Sequence, residues 1–166
     1  MALYVEDSWQ ISKNFSMGEF TASATAKRKK IDNRMPSKYK WNSVELVKYI
    51  LQPLRNKFGR LDINSGFRCE ELNKAVKGSV TSDHMTGSAA DIVSDSHSVK
   101  EMAEFIAGNM LPFHQLIEEY KLVRRRGKLV QVEWLHVSCT CSHSPKREWL
   151  IVEFDKNRKK HVTVKG

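Results

Sequence analysis

The ten residues Ser82–Asp91, Ser-Asp-His-Met-Thr-Gly-Ser-Ala-Ala-Asp, are the stretch around which the chain is organised. A histidine, His84, and an aspartate, Asp91, stand seven positions apart. Between them Gly87 and the small residues Ser88, Ala89 and Ala90 let the backbone turn tightly. A helix would also put positions i and i+7 on one face. Gly87 followed by Ala-Asp-Ile-Val instead predicts a turn that runs into a strand. On either reading His84 and Asp91 converge on one point. A neutral imidazole and a carboxylate are two of the three protein ligands a catalytic zinc site needs. The third candidate is His136, 45 residues further on in Val132-Glu133-Trp134-Leu135-His136-Val137. Two histidines and one aspartate leave zinc an open position for water, with Glu133 available as the base. The competing readings are a surface hydrogen-bonding pair near a turn and a half-buried strand histidine.

A chain of 166 residues, 40% of them hydrophobic, can bury a core as a single domain. Its formal charge of +9 points to an anionic partner: a nucleic acid, a membrane surface or a cell-wall polymer. The cations cluster at Lys27–Lys30, Arg124–Arg126 and Asn157–Lys160. Each cluster also fits a solvated loop, and none interleaves with aromatics as a base-stacking surface would, so no specific nucleic acid is expected. Three cysteines, Cys69, Cys139 and Cys141, do not make a disulfide framework. Cys139-Thr140-Cys141-Ser142-His143 lacks the spacing of a zinc finger. The acidic start, Glu6-Asp7, argues against a signal peptide, and no run approaches the roughly 20 apolar residues of a membrane span.

Taken in order, residues 1–40 predict a helical brace without chemistry. In it Ser16 and Glu19 form a capping box flanked by a Phe15–Phe20 staple. A longer helix is expected to start at Ser43, with Val44, Val47, Leu51, Leu54 and Phe58 on one face, a kink or break at Pro53 and an end at Gly59. Arg60–Ser65 alternates as a strand with Leu61 and Ile63 inward. It delivers Arg68 to a strand terminus, where a guanidinium can hold a carboxylate or a developing oxyanion, or merely pair with Glu70 or Glu71. Leu72, Ala75 and Val76 predict a short helix closed by Gly78. Ser98 and Glu101 form a second capping box, opening a helix with Val99, Met102, Ala103, Ile106 and Met110 inward. Strands are expected over Gln115–Tyr120 and Leu129–Ser138, turning at Arg126-Gly127, and over Trp149–Phe154 and His161–Val164 in a final hairpin within 145–166. The fold class is α+β, helices early and an antiparallel sheet late.

One geometric difficulty follows from strand periodicity. Alternate residues share a face, so Val132, Trp134 and His136 point one way and Glu133 the other. For Glu133 to reach a water beside His136, the strand must bulge or end between them.

Three segments together, Ser65-Gly66-Phe67-Arg68, Ser82–Asp91 and Glu133-Trp134-Leu135-His136-Val137-Ser138, resemble the zinc D-alanyl-D-alanine peptidases. That family includes D-Ala-D-Ala carboxypeptidases, dipeptidases and the L-alanyl-D-glutamate endopeptidases that serve as bacteriophage endolysins. Its pattern, S-x-H-x-x-G-x-A-x-D followed by an acid three residues before a final His, is met at every fixed position within roughly residues 60–140. Asn14-Phe15-Ser16 to Ala26 with Ile31-Asp32-Asn33 is similar to small phage and prophage members. The resemblance implies the α+β fold shared with hedgehog signalling domains, and one Zn²⁺ on His84, Asp91 and His136. It implies Glu133 as general base on a strand made irregular there, Arg68 steadying the substrate carbonyl or tetrahedral intermediate, and Ser82 as a substrate-binding or supporting hydroxyl. It also implies a peptidoglycan stem peptide as partner and cleavage of a D-Ala-D-Ala, L-Ala-D-Glu or D-Ala cross-link bond. A monomeric endolysin waiting in the host cytoplasm before reaching the wall or periplasm is the expected setting. A zinc-binding module of the hedgehog kind and a virion-associated structural protein are the alternatives.

Overall fold

The computed structural model describes residues 3–140, 145–155 and 159–165. It is an α+β domain built on one six-stranded sheet in the order β1-β2-β4-β3-β5-β6. These strands are β1 Asp62–Ser65, β2 Ala89–Val93, β3 Gln115–Arg125, β4 Lys128–Ser138, β5 Glu148–Phe154 and β6 Lys160–Val164. The sheet is mixed, not wholly antiparallel as expected: β5 runs parallel to β3, while every other pairing is antiparallel. β3 and β5 are not consecutive in the chain: β4 intervenes and runs antiparallel to β3, so no tight turn has to join the parallel pair. Between β3 and β4, Arg126 and Gly127 both have positive φ (48° and 81°). That is the backbone of the two-residue turns that match strand twist.

Helices cover one face of this sheet. The Ser16–Glu19 capping box forms as expected, the Glu19 carboxylate accepting from the Ser16 backbone N–H at 2.7 Å and hydroxyl at 3.0 Å. It opens α1 (Met17–Thr21), and α2 (Ala24–Lys29) follows. The long helix starts earlier than its predicted cap. A 3₁₀ turn at Ser37–Tyr39 leads directly into α3 (Lys40–Leu46), so Ser43 lies inside the helix, wholly buried, its hydroxyl donating to the Gly87 carbonyl at 2.9 Å. Nor does Pro53 break the helix. A π-turn at Val47–Leu51 widens the spiral before α4 (Gln52–Phe58). A proline lacks an N–H and its ring clashes with the carbonyl four residues back, and the wider turn accommodates both. Leu46, Val47, Ile50, Leu51 and Leu54 are the residues thereby buried. Ser98 caps α6 (Val99–Gly108) with the expected box, but Met110 falls beyond its end and is exposed.

The helix-covered face of the sheet contributes Ala90, Ile92, Leu116, Leu135 and Val137 to a core shared with α1, α3, α4 and α6. Strand alternation places the intervening residues Asp91, His136, Ile117 and Glu119 on the opposite face. The fold thus sorts the chain into a greasy side and a polar side, and the polar side carries the chemistry.

Candidate metal centre

Ser82–Asp91 folds as the sequence suggests. A 3₁₀ turn, Asp83–Thr86, ends at Gly87 with φ +73°, and the chain passes straight into β2. Gly87 packs close beneath Met35 and Ser43, where a Cβ would stand 3.0 Å from each side chain, so both its left-handed backbone and its lack of bulk are used. The turn points His84 at the sheet, and Asp91 pairs directly with His136 across β2 and β4.

Three donor atoms meet there. Nε2 of His84 lies 3.2 Å from Oδ1 of Asp91 and 3.2 Å from Nδ1 of His136, and the last two are 2.9 Å apart. All three residues are buried, at 2%, 8% and 8% exposure. Nδ1 of His84 sits 2.6 Å from the Gly66 carbonyl, which can only accept, so the proton is on Nδ1 and the Nε2 lone pair faces the cluster. Ligands about 2.0 Å from a tetrahedral zinc stand roughly 3.3 Å apart, close to the edges of this triangle. The three residues are therefore spaced to hold one metal ion.

Electrostatics agree with that use. Burial pushes the His84 imidazole below its ordinary range, which keeps it neutral and able to ligate. For Asp91 burial alone would favour the protonated acid, but its close contacts with His84 and His136 hold it well below the usual carboxylate range. Arg68 reinforces this: its Nη2 donates to Oδ2 of Asp91 at 2.7 Å while Nε donates to the Ser65 hydroxyl at 2.9 Å. It pairs with neither of the glutamates that follow it. Instead it turns Asp91 so that Oδ1 faces the histidines. Ser82 lies on the rim of a cleft of about 260 Å³ that His136 also lines, together with Gln115, Lys146 and Glu148.

Glu133 stands elsewhere. β4 pairs with β3 one for one from Ser138 to Lys128, without the expected bulge, so Glu133 shares the helix-covered face with Leu135 and Val137. Its Oε1 accepts from the backbone N–H of Val99 at 3.2 Å, at the first turn of α6. A carboxylate there satisfies an otherwise orphan donor and suits the positive end of the helix. Among the described residues the site face carries Glu148, which lines the cleft and accepts from the Gln115 amide at 2.6 Å, and Glu119, which pairs with Trp134 two residues from His136. Burial pushes the Glu119 pKa up and the negative charge of Asp91 adds to this; His136 and a hydrogen bond from Trp134 oppose, and the net direction is upward. The sequence offered one signal for Glu119, its even spacing from Ile117 and Gln115 in a strand, that the pattern centred on Glu133 obscured.

The brace also has a role that its sequence did not disclose. Asn33, buried, donates to the carbonyls of Thr21 (2.9 Å) and Phe67 (3.0 Å) and accepts from the N–H of Cys69 (2.8 Å). Phe67 N–H donates to the Phe20 carbonyl at 2.7 Å. A Cβ on Gly66 would sit 2.6 Å from that same carbonyl oxygen, so only glycine permits the approach. The first 35 residues thus fix the loop that supplies both the Gly66 carbonyl for His84 and Arg68 for Asp91. Cys69 caps α5 (Glu70–Ala75) through its sulfur and Cys139 is buried in the core; Cys141 lies outside the described residues.

A buried His-Asp-His triangle beside an open cleft, on the polar face of an α+β sheet, is the architecture of a metal-dependent hydrolase. A family model described as Peptidase M15 matches residues 13–122, and the chain belongs to that family of zinc metallopeptidases. The match includes Arg68, His84, Asp91 and Glu119 and ends before β4, so His136 joins the site by geometry. No curated protein matches the chain closely enough to be compared with it. The family assignment makes the protein a peptidase acting on peptidoglycan-like substrates.

Proposed function

We propose that the chain hydrolyses a stem-peptide amide bond of peptidoglycan, with zinc held by His84, Asp91 and His136 and with Glu119 as general base. The observation that carries this reading is the triangle of donor atoms at 2.9–3.2 Å on the wall of a polar cleft. Zinc in such a site lowers the pKa of its water to about 7 and polarises a carbonyl. Glu119 shares the sheet face of His136, and its raised pKa suits a group that takes a proton and returns it to the leaving amine. Arg68 holds Asp91 in its ligating orientation and leaves guanidinium N–H groups beside the site for the substrate carbonyl. Ser82, Gln115 and Lys146 line the cleft as substrate contacts, Lys146 offering a cation to a stem-peptide carboxylate. Lytic service to a bacteriophage belongs to the same proposal, supported by the sequence resemblance and by a net charge of +9 suited to an anionic envelope.

The test is digestion of purified peptidoglycan, with products read by mass spectrometry and metal content measured in parallel. Wild type should carry about one zinc per chain and release peptides whose masses name the bond. His136→Ala should lose both metal and activity, and Glu119→Gln should keep metal and lose turnover. A zinc-loaded wild type that releases no peptide would overturn the reading in favour of a binding module.

A further inference from the structure

Beyond the metal centre, β3 and β4 continue as a two-stranded arm. The last residue of β3 paired with β5 is Lys121, and the first residue of β4 paired with β2 is Leu135. Among the described residues, the segments 122–125 and 128–131 pair only with each other. Four residues per strand project about 14 Å beyond the sheet. The arm is independent of the catalytic machinery and has a composition of its own.

Residues 121–131 are Lys-Leu-Val-Arg-Arg-Arg-Gly-Lys-Leu-Val-Gln, with five cations and no acid. They hold a large part of the chain's net charge of +9 in one hairpin. Aliphatic side chains sit between the cations: Leu122, Leu129 and Val130 are exposed at 36%, 54% and 40%. Register places Arg124 opposite Leu129 and Val123 opposite Val130, so both faces mix cation or polar backbone edge with hydrocarbon. Arg124 Nη1 donates to the Gly127 carbonyl at 2.9 Å, a contact that stiffens the turn without neutralising the charge.

We propose that this arm docks on an anionic lipid surface. Charge complementarity selects an anionic partner, and the exposed hydrocarbon selects among anionic partners. A hydrated polyanion such as a nucleic acid or a wall phosphodiester rewards the cations alone and leaves Leu122, Leu129 and Val130 in water. A bilayer interface rewards both, because cations sit at the headgroups while short aliphatic side chains enter the acyl boundary. No aromatic ring lies in residues 121–131 to stack on bases. Attachment by the arm would keep the cleft near the membrane-facing layer of its substrate. This inference does not depend on the proposed reaction.

The experiment is co-sedimentation of the full chain with vesicles of phosphatidylcholine alone and of phosphatidylcholine mixed with phosphatidylglycerol. Wild type should sediment with the mixed vesicles and not with the neutral ones. Replacing Arg124, Arg125, Arg126 and Lys128 together by Gln should weaken partitioning about a hundredfold or more. Leu129→Thr with Val130→Thr keeps the charges and the β-branched strand propensity, and should weaken it about tenfold. Circular dichroism and zinc content report whether each variant is folded. Equal binding to both vesicle types would overturn the proposal, as would a charge variant that binds like wild type. So would a Leu129→Thr/Val130→Thr variant with undiminished binding that a DNA duplex competes away, since that behaviour defines a general polyanion site.

Discussion

The two faces of the sheet carry acids for opposite purposes. Glu119 on β3 and Glu133 on β4 belong to neighbouring strands and differ by one step of register, Glu119 opposite Trp134 and Glu133 opposite Tyr120. That single step sends one carboxylate to the metal face and the other under helix α6. Beside Glu133 a third acid, Glu118, is almost wholly buried and accepts from the Tyr120 hydroxyl at 2.8 Å and the Trp149 indole at 2.9 Å. Acids beneath the sheet are matched to donors and organise packing; Glu119 lies above it, within electrostatic reach of Asp91 and His136. In a strand, parity decides function more firmly than distance along the chain.

The sharpest way to break this comparison is to neutralise each acid in turn. Glu119→Gln should lower the rate of peptide release by about 10²–10⁴ with zinc content unchanged, the usual contribution of a positioned general base. Glu133→Gln should leave the rate within about threefold, because it acts on α6 and not on the cleft. Reversal of that order, measured on the same peptidoglycan, would return the base to Glu133 and require β4 to rearrange on substrate binding.

A second effect should come from the loop beneath the site. Gly66→Ala must displace the Phe20 backbone, and it should cost about 1–3 kcal/mol by thermal or urea unfolding. It should also weaken zinc binding, because the Gly66 carbonyl moves from His84. Unchanged zinc affinity would show that His84 is oriented without that carbonyl.

Acid should probe the same histidine. Its folded-state pKa is depressed by burial, so in metal-free protein its contribution is fully present above the unfolded value of about 6.5. Stability is lost as the pH falls below that value, because the unfolded chain takes up the proton first. Asp91, depressed from a carboxylate range, acts in the same sense only below about pH 4. Glu119, raised, acts in the opposite sense as its carboxylate takes up a proton. The melting temperature of chelated protein should therefore decline from pH 7 towards about 5.5, and a flat profile would contradict a buried neutral His84. The smallest effect expected is on stability in Glu133→Gln, about 1 kcal/mol, the ordinary size of a lost helix cap.

Much of this was legible beforehand, and the reasons are local. The spacing in Ser82–Asp91 encodes a tight turn and a strand, and both capping boxes depend on residues three apart, so the turn, the strand and two helix starts could be read directly. What escaped reading depends on contacts distant in sequence. Ser43 looks like a cap, but the helix extends back to Lys40 and buries it against Gly87. Pro53 looks like a break until the π-turn at Val47–Leu51 is seen. Glu133 carries the motif spacing, yet the uninterrupted β3–β4 ladder turns it away from the cluster of His84, Asp91 and His136. Asn33 stands in the sequence within Ile31-Asp32-Asn33 with no role attached, and its three partners lie 12 to 36 residues away.

Those partners bear on how such a protein can be cut and recombined. An engineer seeking a minimal peptidase unit would be drawn to the span between Ser65 and Ser138, which holds His84, Asp91 and His136. Removing the preceding segment would leave the Gly66 and Phe67 peptides without Phe20 and Asn33, and His84 without a fixed hydrogen-bond acceptor. The portable unit therefore begins upstream of α1, and fusions or chimeras that preserve activity should place their junctions outside it.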